Sequence, residues 1–178
     1  MPRLNVVEPA DAGSKVKKTY TALEKDLGRV PNIFKGLANS PAALHAYLGI
    51  EQALSGALLD EGERHLVYLA ASKRNECLYC QSAQVQLAKQ AGLDDEAIQA
   101  VRRGDPADPK HRALVELTHA IMQTRGHVDD AALTSFRDAG YTDAHIAEVC
   151  ALIAQSTFSN YFNHVNETDL DFPEAPPV

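Results

Sequence analysis

Apolar residues recur at helical spacing along almost the whole chain, and this pattern constrains the fold more than any other feature. Val, Ile and Thr do not cluster into alternating runs bounded by turns, so strands have little support. Glycines, prolines and N-capping residues divide the chain into nine segments, which predicts an all-α fold. The predicted helices cover 14–27, 31–37, 41–57, 60–73, 77–90, 94–104, 110–125, 129–140 and 142–164.

The length of 178 residues predicts a single domain with its own hydrophobic core. We expect the central part, 60–104, to carry the functional core of that domain. The N-terminal segment 1–28 and the C-terminal tail 168–178 are expected to be peripheral. The tail contains Pro173, Pro176 and Pro177, which predicts an extended segment that packs on a neighbour or frays.

The charge balance excludes two classes of partner. A net charge of −7 and a pI of about 5.4 offer no concentrated basic surface for nucleic acid or for an anionic membrane. No run approaches the length of a membrane span, and the first residues lack the pattern of a secretory signal. We therefore expect a cytoplasmic protein.

Two of the three cysteines, Cys77 and Cys80, stand three residues apart where a helix is expected to begin. Asn75 and Glu76 interrupt the preceding helix, so unpaired backbone N–H groups and the helix dipole favour a thiolate at this place. One helical turn also lets the two sulfurs close a disulfide. The third cysteine, Cys150, lies among apolar residues and is predicted to be buried in the core.

Three interpretations of this pair remain open. It can be a redox pair, which the placement favours, an inert buried pair, or half of a zinc site. No second cysteine pair occurs and the histidines show no metal spacing, so no metal is predicted. No glycine-rich phosphate loop occurs either, so no cofactor is predicted. The sequence does not rank the two thiols as attacking group.

The surroundings of the pair resemble a known family. The stretch 63–84, with the kernel Asn75-Glu76-Cys77-Leu78-Tyr79-Cys80, is similar to the core signature of the AhpD-like/carboxymuconolactone decarboxylase family. The segments 30–34 and 160–166 resemble the branch labelled peroxidase-related. The resemblance implies an AhpD-like helical bundle assembled into a homotrimer or homohexamer. It also implies a thiol pair that reduces alkyl hydroperoxides or a partner's disulfide, with electrons from a thioredoxin-like or lipoyl dithiol donor.

The chain departs from that family pattern at both members of its proton relay. Gln84 stands where the pattern has histidine, and His65 stands where it has glutamate. His65 either replaces the missing histidine as general base, or the relay is degraded. Glu63 is a supporting carboxylate that should point elsewhere on its helix. Tyr79 is either a pocket wall over the thiols or a packing residue.

These observations together predict a thiol-dependent alkylhydroperoxidase or disulfide reductase-like antioxidant protein. The predicted catalytic residues are Cys77, Cys80 and His65, supported by Gln84, Glu63 and Tyr79. One alternative is a carboxymuconolactone decarboxylase-like lyase that uses His65 and leaves the thiols incidental. Another is a non-enzymatic helical oligomer that senses redox state.

Overall fold

The computed structural model describes all 178 residues and confirms the all-α prediction, with nine helices and no strand. The helices are α1 Ser14–Leu27, α2 Asn32–Leu37, α3 Pro41–Leu54, α4 Glu61–Arg74, α5 Leu78–Gln90, α6 Asp95–Arg103, α7 Pro109–Thr124, α8 Asp130–Asp138 and α9 Asp143–Asn166. No helix is long and apolar enough to cross a membrane.

Side-chain caps explain why most helices begin where the sequence predicts. Ser40, Asp94 and Asp129 each accept a hydrogen bond from the backbone N–H three residues on. Asp60 and Glu63 form the predicted capping box at the start of α4. The largest difference is at the end of α3, which stops at Leu54 rather than near residue 57.

Helix α4 lies at the centre of the molecule and packs against α5, α6, α7 and α9. Leu66, Leu69 and Ala70 of this helix have no exposed surface. They join Leu114 of α7 and Leu152 of α9 in the larger of two buried apolar clusters. Because the consecutive residues 66–72 of α4 are all buried, this part of the helix needs neighbours on several sides, and α5 is one of them.

The smaller apolar cluster contains the cysteine pair and most of the buried residues of the N-terminal segment. Val16, Tyr20 and Leu23 share one face of α1 and are buried there. The expectation that 1–28 is peripheral is therefore wrong for α1, whose apolar face completes this cluster. The description of 1–178 as a single domain stays a prediction.

The C-terminal tail is bonded to its own chain, which corrects the expectation that it frays or packs on a neighbour. Ala175 is buried in the larger cluster, and its N–H donates to Ser82 Oγ at 3.0 Å. The buried Arg102 donates to the carbonyl of Pro176 at 2.7 Å. Asp171 accepts from the Arg29 guanidinium at 2.6 Å. These contacts join the tail to α5, to α6 and to the segment before α2.

Candidate active site

The turn between α4 and α5 places the two cysteines. Glu76 has φ 57°, in the left-handed region, and reverses the chain after α4. Cys77 is the N-cap of α5, and its sulfur accepts from the N–H of Cys80 at 3.2 Å. The two residues are joined in a disulfide with Cα atoms 5.3 Å apart. The sequence thus predicts correctly both the helix start and the reach between the sulfurs.

Hydrogen bonds to α9 hold this turn in place. Asn75 donates to the side-chain oxygen of Asn160 at 2.8 Å, and Asn160 donates to Ser72 Oγ at 3.3 Å. Asn160 is completely buried. Its amide therefore connects the last turn of α4 to α9 inside one chain. The structure shows no group of three or more His, Cys, Asp or Glu side chains placed to hold a metal ion.

A cavity of about 380 Å³ lies beside the disulfide, and Cys80 forms part of its wall. Polar groups in the wall include Gln84, Ser159 and Asn163. Most of the remaining wall is apolar or aromatic. Its aromatic members are Phe34, Tyr47, Tyr79 and Phe172. This size and lining are typical of a site for a small organic molecule.

Tyr79, which the sequence left as pocket wall or packing residue, serves as both. Its ring meets that of Phe172 edge to face, with centroids 5.8 Å apart, and its hydroxyl accepts from the N–H of Ile33 at 3.2 Å. Burial raises the pKa of Tyr79 well above its usual range, helped by the nearby carboxylate of Asp171, so the phenol stays neutral. The guanidinium of Arg29 covers the other ring, 4.5 Å from the centroid of Phe172.

The two sulfurs have different surroundings, which the sequence could not show. Cys80, 7% exposed, lines the apolar cavity, whereas Cys77, 1% exposed, lies at a separate surface cleft. That cleft is lined by Glu76, His164 and Glu167 among others. Cys80 thus borders the apolar cavity, and Cys77 borders the surface cleft.

Asn163 of α9 contacts the pair and was not predicted as a site residue. Its Nδ2 donates to the sulfur of Cys80 at 3.2 Å. Its Oδ1 is buried and has no hydrogen-bond partner. The residue lines both the cavity and the cleft. The available signal was a series of polar residues on the buried face of α9, which includes Gln155, Ser159 and Asn163.

His65 and Gln84 are brought together, with His65 Nδ1 2.8 Å from Gln84 Oε1. An amide oxygen only accepts, so the imidazole carries its proton on Nδ1 and leaves Nε2 as an acceptor. Burial lowers the pKa of His65 despite the opposing hydrogen bond to Gln84, which favours the neutral ring. Gln84 lines the cavity and His65 does not, so the amide separates the imidazole from the cavity.

Glu63, predicted as a supporting carboxylate, is not in the cavity wall. It is 4% exposed, accepts from Tyr141 at 3.0 Å and is paired with Lys110 at 2.8 Å. Burial alone would raise the pKa of Glu63, but the bonds from Lys110, the Asp60 backbone and Tyr141 hold it below its usual value. Its contacts are those of a capping residue that also connects α4 to α7 and to the residue before α9.

The prediction for Cys150 is wrong, because this cysteine is exposed and free. Its neighbour Val149 and the later Leu152 have no exposed surface and occupy the inner face of α9. Residues one or two positions apart on a helix point in different directions, so an apolar neighbourhood in sequence did not make Cys150 buried. Cys80 is therefore the one cysteine in the cavity wall.

Comparison with known proteins identifies the family segment and the fold. Residues 41–107 match the family model described as the carboxymuconolactone decarboxylase family. No curated protein matches the sequence. The fold is that of an uncharacterized peroxidase-related protein from Ralstonia eutropha JMP134 with an alkylhydroperoxidase AhpD core, at TM-score 0.88 and 23% identity over 96% of this chain and 92% of that one.

Two further solved structures share the fold. An uncharacterized peroxidase-related protein from Silicibacter sp. TM1040 has TM-score 0.83 and 20% identity, covering 94% of this chain and 89% of that one. The debrominase Bmp8, solved as a cysteine-to-alanine variant in complex with 2,3,4-tribromopyrrole, has TM-score 0.78 and 17% identity, covering 96% of this chain and 94% of that one. These matches confirm the predicted AhpD-like helical fold.

Proposed function

We propose that this chain, whose residues 41–107 belong to the carboxymuconolactone decarboxylase family and whose fold is that of the AhpD-like proteins, is a thiol-dependent oxidoreductase. Its oxidising substrate is an organic hydroperoxide. The observation that carries the proposal is the position of Cys80, which is disulfide-bonded to Cys77 and lies in the wall of an apolar cavity. The resulting role is antioxidant and the expected location cytoplasmic.

In the reduced protein, Cys80 is the attacking thiolate. It lies in the first turn of α5, where the helix dipole favours negative charge, and Asn163 Nδ2 donates to its sulfur. The thiolate attacks the outer oxygen of the hydroperoxide, so an S–O bond forms and the O–O bond breaks. The products are a sulfenic acid on Cys80 and an alkoxide, which takes a proton from water to become the alcohol.

Cys77 resolves this intermediate. Its sulfur attacks the sulfur of the sulfenic acid, the disulfide forms, and water leaves with the thiol proton. A thioredoxin-like or lipoyl dithiol then attacks Cys77 from the surface cleft and displaces the thiolate of Cys80. The second thiol of the donor completes the exchange, so the donor is oxidised to its disulfide.

Gln84 has a supporting role in this scheme. Its oxygen is held by His65, so its NH₂ group is free to donate to the departing oxygen in the cavity. An amide does not transfer a proton near neutral pH, so Gln84 stabilises charge and does not shuttle protons. His65 acts through Gln84, as a positioning residue for the amide.

The test is turnover of cumene hydroperoxide with dihydrolipoamide as donor, measured for the wild type, Cys77→Ser, Cys80→Ser and Cys150→Ser. The first two variants should lose catalytic turnover, whereas Cys150→Ser should keep the wild-type rate because Cys150 is exposed and outside the cavity. Unchanged rates in both Cys77→Ser and Cys80→Ser would refute the proposal. Gel filtration with light scattering tests the expected homotrimer or homohexamer.

A second candidate is removal of bromine from a small aromatic ring. The aromatic cavity walls favour it, together with the fold shared with a debrominase. In this reaction the thiolate of Cys80 takes the bromine, the ring carbon gains a proton, and Cys77 displaces bromide as the disulfide forms. Bromide release from 2,3,4-tribromopyrrole in the presence of dithiol, without hydroperoxide turnover, would favour this candidate.

The lyase and sensor alternatives give different results in the same experiments. A lyase that uses His65 keeps its activity after both cysteines of the pair are alkylated. A redox sensor forms and loses the Cys77–Cys80 disulfide, seen as a mass change of two hydrogens, without catalytic turnover of either oxidant.

A further inference from the structure

We propose that Asn163 sets the redox poise of the cysteine pair, because its amide is fully hydrogen-bonded only when the pair is reduced. The inference rests on the redox cycling of the proposed function, and not on the identity of the oxidant. It concerns a side chain that contacts the pair directly but forms no part of the CxxC sequence.

The side-chain oxygen of Asn163 is unpaired. Asn163 is 4% exposed, and its Oδ1 is one of only two buried side-chain polar atoms without a hydrogen-bond partner. A buried acceptor without a donor is unfavourable, since it loses its bond to water and gains nothing in exchange. In the disulfide form this cost is present, because a disulfide has no hydrogen to donate.

The amide group of Asn163 contacts the cysteine pair. Its Nδ2 is 3.2 Å from the sulfur of Cys80, and the oxygen is bonded to the same carbon as this nitrogen. Asn163 lines the cavity with Cys80 and also the cleft with Cys77. The amide therefore lies against the sulfur of Cys80 and borders the same cleft as Cys77. Because its oxygen has almost no surface that water can reach, its donor has to come from within the protein.

Reduction creates such a donor. The disulfide takes up two electrons and one proton from a dithiol, giving a thiol on Cys77 and a thiolate on Cys80. The new S–H of Cys77 donates to Asn163 Oδ1, while Nδ2 donates to the thiolate. Both halves of the amide are then paired. The hydrogen bonds favour the dithiol form over the disulfide, so the pair is easier to reduce than its unassisted equivalent.

Other titratable groups lie around the sulfurs, but none of them hydrogen-bonds to either one. Glu76, His164 and Glu167 lie on the cleft side, Asp26, Arg29 and Tyr47 on the cavity side, and His65 behind Gln84. Asn163 is thus the side chain whose removal should change the pair most directly.

The experiment measures the equilibrium constant between the Cys77–Cys80 pair and dithiothreitol redox buffers, in the Cys150→Ser background. The reduced and oxidised fractions are read by mass spectrometry after alkylation. Selenocystamine is added to speed thiol–disulfide exchange. It is done at one pH above and one below the midpoint of thiolate formation, which is read from ultraviolet absorbance. For Asn163→Leu, of similar volume, we expect the equilibrium constant for reduction to fall about ten-fold above the midpoint. That factor corresponds to a potential about 30 mV more negative.

The measurement at low pH isolates the contribution of Asn163 Oδ1. With both cysteines protonated, the contribution of Nδ2 to the thiolate is gone, and about a three-fold decrease should persist from the loss of Oδ1. The same change at a matched position, Asn166→Leu, should leave the equilibrium unchanged, because Asn166 is buried on the same helix but bonds to Leu4 and Thr168. Asn163→Ala should reproduce the effect of Asn163→Leu if the larger side chain impairs folding.

An equilibrium constant within two-fold of wild type at both pH values overturns the proposal. A decrease that disappears at low pH overturns the assignment of Oδ1, and an equal decrease in Asn166→Leu attributes the effect to packing of α9. No step uses a hydroperoxide. Failure of the peroxidase assay would therefore leave this result standing, and the reverse also holds.

Discussion

Phe172 connects the C-terminal tail to the candidate site, and Phe172→Ala tests that connection. The ring meets Tyr79 edge to face and lies under the guanidinium of Arg29. An aromatic pair contributes about 0.5–1.5 kcal/mol, and a cation–π contact at a partly exposed site about 0.5–1 kcal/mol. Half-burial of the phenyl group adds about 1 kcal/mol. We expect the free energy of unfolding to fall by about 2–3.5 kcal/mol.

This loss can be measured because the protein should remain folded. A domain of this size is expected to have about 5–15 kcal/mol of stability, and its melting temperature should fall by about 4–14 °C. Urea unfolding of the wild type, Phe172→Ala and Phe172→Leu gives the free energies directly. Phe172→Leu keeps an apolar side chain but loses both ring contacts, so we expect a loss of about 1–2.5 kcal/mol for it.

The same variant opens the cavity wall beside Cys80. After reduction, alkylation of Cys80 by iodoacetamide should be faster in Phe172→Ala than in the wild type, with Phe172→Leu between them. Mass spectrometry of quenched samples follows the label at each cysteine. Unchanged stability together with an unchanged alkylation rate would refute the reasoning that the tail is a wall of the cavity rather than a loosely attached end.

Three further predictions follow from other contacts. Gln84→Met should slow hydroperoxide turnover about ten-fold, and His65→Leu should have no further effect in that background, because His65 acts through the amide; additive losses would place His65 on the substrate. Glu63→Gln should destabilise the protein by about 1–3 kcal/mol at neutral pH. Folding lowers the pKa of Glu63, so its contribution to stability is present above the pKa of the unfolded state and is lost as pH falls through the folded value. Urea unfolding should therefore show the free energies of the wild type and Glu63→Gln converging in acid. A difference that stays constant with pH would contradict this. In the oxidised protein, iodoacetamide should label Cys150 alone, once per chain, and labelling of the pair before reduction would contradict the disulfide.

The fold was predictable because its signals are local. Helix starts depend on a capping side chain and the N–H three residues later, as at Ser40, Asp94 and Asp129, and both groups can be read from the sequence. The predicted end of α3 was less accurate, because the chain leaves the helix at Ser55 and Gly56 without a strong stop signal before them. The helical period identifies the helices, and capping residues, glycines and prolines account for almost all of their boundaries without tertiary information.

The site was predictable only in part, because its other contacts are between residues distant in sequence. Cys77 and Cys80 are one turn apart, and the helix start between α4 and α5 could be inferred from Asn75 and Glu76. Asn163 contacts Cys80 across 83 positions, and no local pattern indicates such a pairing. The prediction that Cys150 is buried was wrong for a related reason. Burial depends on the direction of each side chain and not on the average character of its neighbours in sequence.

The segment that matches the family model contains both cysteines of the pair but does not enclose them. Residues 41–107 include both cysteines, whereas Phe34 precedes that range and Asn163 and Phe172 follow it. In the proposed reaction that segment supplies both thiols, and the ends of the chain supply much of the cavity wall around Cys80. Family members can therefore share a redox pair and still differ in substrate, so exchanging the tail or α2 between two of them should transfer substrate preference more readily than exchanging the helices that carry the cysteines.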